Sequence, residues 1–396
     1  MLRARSTDFR IAMDEIERSE GQWRQALALS LPTLNATANA TWNVLRGQAI
    51  APTGEIREFP DPLTYGASAT LVQPLLASRA WYAPGTAKLA RQAAELSAED
   101  QKRVLAFALA NAVVRVVTAE RLSEINRIAL RAALERLTLA RRRVALGAGN
   151  ALDTVRADQD VSVTRATVVS GDETLRKARE ALGLALGSTE AWGVRSDVDL
   201  SGVETTARST CTILNRVEDR ADIAAAQTRT EVAQRNINDV WLQFSPTINL
   251  VSQLNASSLP FFNGKNATWT IAGVLSVPIF DGGARYGALR DTRAQADQSD
   301  QRLEAARRAA TIEVIQAKRS VDVAEVSRSV AEQARDLARE TERLSRVSFA
   351  AGTGTSLDLI ESGRRLREAE SQLALQEFTL VQARIAALLS LSRCQW

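Results

Sequence analysis

The sequence offers little with which to do covalent chemistry. It contains no histidine, which removes the commonest general base and the commonest metal-ligating side chain together. Its Ser, Asp and Glu residues are spread along the chain with no glycine-rich phosphate loop and no metal-ligand spacing among them. The expected catalytic set, cofactor and metal are therefore none. Cys211 and Cys394 stand outside any C-x-x-C or zinc-type spacing. Two readings of them stay open: a disulfide joining the middle of the chain to its C-terminus, or two free buried thiols. Sequence does not supply the Cα separation that a bond requires. The acids Asp358 and Glu361 are three residues apart, hence on one face of a helix. Near a helix N-terminus the macrodipole favours carboxylates, so a solvated helix face accounts for them as well as a binding role does.

The elements that must carry such residues follow from composition and punctuation. The 396 residues are 45% apolar and 24% charged, ordinary for a folded chain. Aromatics are only 5% while Ala, Arg and Leu abound, which favours long helices with small contact residues. The net charge of +4 is spread, with Arg interleaved among Glu and Asp, so nucleic acid is not an expected partner. No apolar run reaches the roughly 18–20 residues of a membrane-spanning helix, and residues 1–10 have no hydrophobic signal core. The chain is soluble, or it crosses a membrane as a barrel with its export signal absent from this sequence.

Proline marks where helices stop. Pro32, Pro52, Pro60, Pro62, Pro74 and Pro84 form one window, and Pro246, Pro260 and Pro278 a second. Because proline breaks helix interiors, the proline-free stretches 85–245 and 279–396 are free to be helical. Inside the windows the pattern changes to a period of two. Leu34, Ala36, Ala38, Ala40, Trp42 and Val44 alternate with Thr33, Asn35, Thr37, Asn39, Thr41 and Asn43, the pattern of a strand with one apolar and one polar face. The stretch 269–279 sets Trp269, Ile271, Leu275, Val277 and Ile279 opposite Thr270, Ala272 and Ser276. A shorter alternation starts at Ile248 and a weaker one covers 64–75. Each window is predicted to be a β-hairpin, over 33–75 and 247–280, turning within 46–63 and 257–266.

The windows are copies of one another. Leu31-Pro32-Thr33-Leu34 matches Ser245-Pro246-Thr247-Ile248, and Gln73-Pro74-Leu75-Leu76 matches Val277-Pro278-Ile279-Phe280. Further on, Gly147-Ala148-Gly149 with Leu152-Asp153 matches Gly352-Thr353-Gly354 with Leu357-Asp358. Three landmarks in one order at a nearly constant offset mark a tandem duplication. The first repeat is predicted over 1–200, with a helix, the hairpin 33–75 and a long helical hairpin 85–187. The second is predicted over 216–396, with a helix, the hairpin 247–280 and a helical hairpin 283–392, and residues 188–215 link the two. Apolar steps of three and four form coiled-coil-like seams: Leu122, Ile125, Ala129 and Ala132 in one helix, Val323, Val326 and Val330 in the other. Some 60 helical residues rise about 90 Å. A rod of that length must pack on its return helix, 150–187 or 356–390, and then on neighbours, which predicts a ring of helical hairpins.

A two-stranded hairpin is marginal in water, and this chain carries two. Four strands are too few for a stable barrel, but symmetric copies from other chains would close them and abolish the open edges. A closed barrel is also how strands cross a bilayer, with apolar faces outward and the Asn and Thr stripe of 33–43 inward. Trp42, Trp269, Tyr82 and Tyr286 are then the membrane-interface aromatics. The alternative is a pair of soluble hairpins packed on a helical bundle.

Together these features resemble the TolC-type outer-membrane factors over nearly the whole chain. The resemblance rests on a proline opening each first strand (Pro32, Pro246), the stretch Val277-Pro278-Ile279-Phe280-Asp281-Gly282-Gly283, and the glycine turn followed by Leu-Asp. It implies a mainly α fold with a pair of β-hairpins. Long antiparallel coiled-coil helical hairpins would form an α-barrel, and four strands would join a trimeric twelve-stranded transmembrane β-barrel in the outer membrane. It further implies a passive exit duct of a tripartite efflux pump or type I secretion system, not an enzyme. The implied partners are the homotrimer itself, a periplasmic adaptor, an inner-membrane pump and the lipid bilayer. The linker 188–215 and the C-terminus belong, on this resemblance, to an equatorial girdle.

The resemblance also assigns roles to residues. Leu146, Gly147, Ala148, Gly149, Ala351, Gly352, Thr353 and Gly354 fall at periplasmic tips that an adaptor touches, although glycine turns terminate helices in any case. Asp358 and Glu361 match two acids that form lumenal rings at the periplasmic gate, and in three copies such rings favour cations. Asp153 matches an acid that some members pair with an Arg on the second tip, where this chain has Gly354. The family begins with an export signal, sometimes a lipidated Cys, and a full first helix; Met1 falls inside that helix, which implies a missing N-terminal segment. A soluble periplasmic coiled-coil scaffold or adaptor is the alternative, and it accounts for the helices alone.

Overall fold

The computed structural model describes residues 6–45, 47–50, 54, 56–59, 63–195, 200–261 and 264–394. Residues 1–5 of the expected first helix, Pro52, Pro60 and Pro62, other parts of the expected turns, residues 196–199 of the linker and the last two residues lie outside these. In chain order the elements are α1 Thr7–Ala28, β1 Thr33–Trp42, β2 Gly47–Ile50, β3 Ile56–Phe59, β4 Leu63–Leu76, α2 Ser78–Ala145 and α3 Ala151–Ala185. There follow α4 Leu200–Thr210, β5 Cys211–Ile213, a 3₁₀ turn Val217–Asp219, α5 Ala221–Leu242, β6 Thr247–Ser257, β7 Ala267–Ser276, α6 Ala284–Ala350, α7 Ser356–Ser390 and β8 Ser392–Cys394.

The order helix, hairpin, very long helix, glycine turn, long helix occurs twice, and four boundaries differ from the sequence reading. Helix α2 begins at Ser78 instead of 85 and runs through Pro84. So near a helix start the missing N–H forfeits only the bond to the Ala80 carbonyl, which the rest of a 68-residue helix outweighs. Strand β7 ends at Ser276, not 279, because Pro278 has no N–H to donate to a ladder. The stretch 46–63 is more than a turn: β2 and β3 pair within it, from Gly47↔Phe59 to Ile50↔Ile56. The linker 188–215 is partly regular too, containing α4 and β5.

Two compact units divide the chain, and neither coincides with a sequence repeat. One gathers Ile16–Ala94 with Ala226–Leu303, and the other gathers Met1–Glu15, Glu95–Ala225 and Glu304–Trp396. Each takes matching pieces from both repeats. In the first unit the two hairpins share one antiparallel sheet of order β1-β4-β6-β7, because β4 pairs with β6 from Gly66↔Ser257 to Leu76↔Ile248. Pro74 is tolerated in β4 because it lies beyond the β1 ladder, which ends at Thr33↔Val72, and beside a register shift on the β6 side.

In the second unit the helices pack through small residues. Ala133, Leu137 and Ala140 of α2 meet Ala157 and Val161 of α3. Val321 and Ala324 of α6 meet Leu380 and Ala383 of α7. Val114 of α2 and Ala374, Phe378, Ile385 and Leu389 of α7 close over Cys211 and Cys394, with Leu122 and Ile125 at the margin. The seam Val323, Val326 and Val330 takes no part in that packing. It stays exposed, and Leu337, Leu344 and Val347 continue it at heptad-related steps. The return helix covers the neighbouring face of α6, so among the described residues this apolar stripe stays largely exposed.

Candidate functional site

Residues opposite one another across a ladder point to the same side of a sheet, so register sorts every strand residue onto one of two faces. One face carries Leu34, Ala36, Ala38, Ala40 and Trp42 of β1, Leu63, Tyr65, Ala67, Ala69 and Leu71 of β4, Leu250, Leu254 and Ala256 of β6, and Trp269, Ile271 and Leu275 of β7. The other carries Thr33, Asn35, Thr37, Asn39 and Thr41, Thr64, Ser68 and Thr70, Gln253 and Asn255, and Thr268 and Thr270. On that polar face the Thr37 and Ser68 hydroxyls are 2.8 Å apart, and Gln253 Nε2 donates to Asn255 Oδ1 at 3.1 Å. None of the four strands carries a charged residue. Among the described residues, the outer edges of β1 and β7 have no neighbouring strand in the sheet.

Aromatic side chains border the apolar face. Trp42 and Trp269 are 66% and 71% exposed on it, and Trp269 Nε1 donates to Ser252 Oγ at 2.9 Å. Tyr65 joins them; sequence reasoning missed it because 64–75 alternates weakly. Tyr82 and Tyr286 lie near the starts of α2 and α6. The Tyr82 hydroxyl accepts from Asn238 Nδ2 at 3.2 Å, and the Arg235 guanidinium lies 4.1 Å from its ring centre. Tyr286 meets the Phe244 ring at 5.4 Å, and Phe244 meets Trp241 at 5.6 Å. Trp241 and Phe244 were also missed, since they close a helix and carry no alternating signal.

The two glycine turns are built alike. Ala148 N–H bonds the Arg143 carbonyl and Gly147 N–H that of Val144; Thr353 N–H bonds Ser348 and Gly352 N–H bonds Phe349. This is the Schellman pattern, and it needs a left-handed residue after the cap, met by Gly147 at φ +73° and Gly352 at φ +81°. The second glycine of each turn is needed for closeness: a Cβ on Gly354 would lie 2.9 Å from Phe349 N, and one on Gly149 3.0 Å from Val144 N. Leu146 and Ala351 cap the incoming helices, and Leu146 is 75% exposed. Asn150 and Thr355 start the outgoing ones, each accepting a backbone N–H on its side chain.

The three acids singled out in the sequence take different places. Asp358 completes the Thr355 capping box: Thr355 Oγ1 lies 2.6 Å from its Oδ2, and its own N–H donates back to Thr355 Oγ1 at 3.1 Å. Glu361 accepts from Arg364 at 2.7 Å and Arg365 at 3.0 Å. Hydrogen bonds from Arg364 first and Arg365 second hold its carboxyl down at about 2. Arg364 is raised by the same pairing and also bonds Glu368 at 2.6 Å. Asp153 faces the second turn, where it accepts from the Ser356 hydroxyl. Arg143 makes a further link between the turns, donating to the Phe349 carbonyl at 3.2 Å with its guanidinium 4.4 Å from that ring's centre. Neither Ser356 nor Arg143 was found from sequence, because their partners lie some two hundred residues away. Cys211 and Cys394 are joined by a disulfide, within the antiparallel β5–β8 ladder.

The comparisons with known proteins agree with this geometry. A family described as Outer membrane efflux protein matches residues 1–188 and 215–391. The cation efflux system protein CusC of Escherichia coli K12 is 24% identical over 303 residues, which is 74% of this chain and 63% of that protein. This chain therefore spans less than two thirds of that relative. Outer membrane protein OprJ of Pseudomonas aeruginosa is 26% identical over 360 residues, 88% of this chain and 74% of OprJ. A crystal structure of CusC, described for conformational changes on folding and transmembrane channel formation, has a similar fold. Its TM-score is 0.84 at 18% identity, covering 98% of this chain and 90% of that one. With the duplicated hairpin and helix pair and the matched residues covering most of its length, the chain belongs to the outer membrane efflux protein family.

Proposed function

We propose that the protein is a passive exit duct in the outer membrane, assembled from three copies, serving a tripartite efflux pump or a type I secretion system. The observation that carries this reading is the four-stranded sheet: uncharged, mainly apolar on one face, lined mainly with hydroxyls and amides on the other, and open at both edges among the described residues. An open, two-faced sheet of this kind is unstable alone in water. Three copies closed into a twelve-stranded barrel satisfy every edge and turn the apolar face to lipid and the polar face to a wet lumen. The uncovered α6 stripe from Val323 to Val347 supports the same assembly, since a neighbouring copy would bury it.

The protein supplies no energy in this mechanism. Cargo enters from an inner-membrane pump and a periplasmic adaptor docked at the two glycine turns, and the helices there part to open the entrance. Asp358 and Glu361 would face the lumen near that entrance, and the Asp153–Ser356 and Arg143–Phe349 contacts would hold it shut. The linker with α4 and β5, and the C-terminus bonded to it, would form the girdle. Family membership and the names of the relatives favour transport over catalysis, while the cargo belongs to the partner pump.

The test is the mass of detergent-purified protein by light scattering, followed by single-channel recording in a planar bilayer. A trimer giving discrete, long-lived conductance steps is expected. A water-soluble monomer with no conductance would overturn the duct and favour a periplasmic coiled-coil scaffold.

A further inference from the structure

We propose that the exposed face of α6 beside the strand–helix junction binds the phosphate of an anionic glycerophospholipid, a contact that rests on the membrane reading above. Beyond the last ladder residue, Ser276, the chain stays apolar and open: Ile279 is 91% exposed and Phe280 87%. Aromatic rings follow, with Tyr286 against Phe244 and Phe244 against Trp241. Then come Arg290 and Arg293, which share one helix face with Tyr286 at steps of four and three. At a rise of about 1.5 Å per residue they stand roughly 6 and 10 Å past Tyr286. Apolar surface, aromatic rings and guanidinium groups thus succeed one another as hydrocarbon, interface and phosphate do in a leaflet, whose polar layer is about 5–8 Å thick.

The two arginines differ from their neighbour Arg285. That side chain is buried and occupied: Nε bonds Asp281 at 2.6 Å, Nη1 bonds the Pro278 carbonyl at 3.2 Å, and the guanidinium lies 4.5 Å from the Phe244 ring centre. Arg290 and Arg293 are exposed, and among the described residues neither forms an ion pair. Nearby Asp291 accepts from Gln295 at 2.9 Å instead. The Arg293 guanidinium stands 6.0 Å from the Trp241 ring centre, which holds it beside an indole suited to the interface. Two unpaired forks one helical turn apart match the oxygens of a phosphodiester, and they favour one whose negative charge no choline cation offsets.

Flotation of the whole protein with phosphatidylcholine vesicles tests the membrane reading by itself, and protein that stays at the bottom overturns both proposals. Protein that floats is then titrated in detergent with phosphatidylglycerol and with phosphatidylcholine, and its adducts are weighed by native mass spectrometry. The wild type should retain phosphatidylglycerol preferentially. The R290Q/R293Q variant should lose on the order of tenfold in that affinity, with phosphatidylcholine unchanged. R290K/R293K, which keeps both charges but lacks the forks, should lose several-fold of it and serves if the glutamine pair misfolds, an undiminished affinity then overturning the proposal. Equal retention by wild type and R290Q/R293Q, or no preference between the two lipids, overturns the proposal. Displacement of phosphatidylglycerol by millimolar inorganic phosphate would make this a free-anion site and overturn the lipid assignment.

Discussion

Glu361 carries its negative charge in the company of two arginines, and this decides what its removal would do. Bound by Arg364 and Arg365, it stays ionised far below the ordinary carboxylate range, so it does not titrate near neutral pH. Because its pKa is lowered on folding from 4.5 to about 2, the stability it contributes is present above 4.5 and is lost only as pH falls toward 2. Substituting Glu361 by Ala leaves Arg364 with Glu368 and takes from Arg365 its carboxylate partner, so on the proposed duct the reconstituted pore should shift toward anions. Reversal potentials in a salt gradient measure this, and an unchanged selectivity would remove Glu361 from the conducting path. Asp358→Ala should show less in that experiment and more in a melt, costing about 1 kcal/mol through the lost capping box.

At the scale of elements, the glycine turns end two long helices with the same backbone chemistry and lead into two more, but they are fastened to one another by side chains that are not repeated. Asp153 of the first turn bonds Ser356 of the second, whereas its counterpart Asp358 is used by its own helix cap. The duplication therefore produced two equivalent turns and, among the described residues, one carboxylate–hydroxyl cross-link between them. Ser356→Ala removes the link while leaving Arg143 in place. It should raise the mean single-channel conductance, with a stability loss of about 1 kcal/mol. Identical conductance in the Ser356→Ala channel would mean that this bond does not restrain the entrance. Element boundaries were legible wherever local chemistry is decisive, as at Gly147 and Gly352. They were misplaced at Pro84 and at β7, where a proline's effect depends on how much regular structure lies beyond it.

For the whole molecule, the consequential covalent feature is the Cys211–Cys394 disulfide, whose ends are separated by 183 positions in sequence. Both sulfurs are buried under Val114, Phe378 and Leu389. Arg220 reinforces the same region: its buried guanidinium bonds Asp222, Glu313 and the Ser390 carbonyl, fastening the start of α5 to the end of α7. Burial pushes the Asp222 carboxyl up, but hydrogen bonding and charge from Arg220 outweigh it and lower its pKa. Replacing both cysteines by serine should cost about 3 kcal/mol, read as a lower melting temperature that reductant no longer changes. A variant that melts with the wild type would show the ladder and the Arg220 bonds to suffice.

Alternation, proline placement and glycine chemistry are local, so the sequence by itself determined that this protein has two β-hairpins with one apolar and one polar face. For the same reason it determined two helical pairs turning at Gly147 and Gly352, and the duplicated order that identifies the family. What lay beyond it concerns residues far apart in the chain. Only the tertiary structure decided that β4 pairs with β6 and makes one sheet of both hairpins, since register between distant strands is set by packing and not by either strand alone. It also decided that Val323, Val326 and Val330 face away from the return helix, because 3.6 residues per turn lets neighbouring stripes, here Val321 and Ala324, compete for the same partner. Likewise, Ser356 became the partner of Asp153 and the two cysteines came within bonding distance because folding brings together positions that no sequence spacing relates.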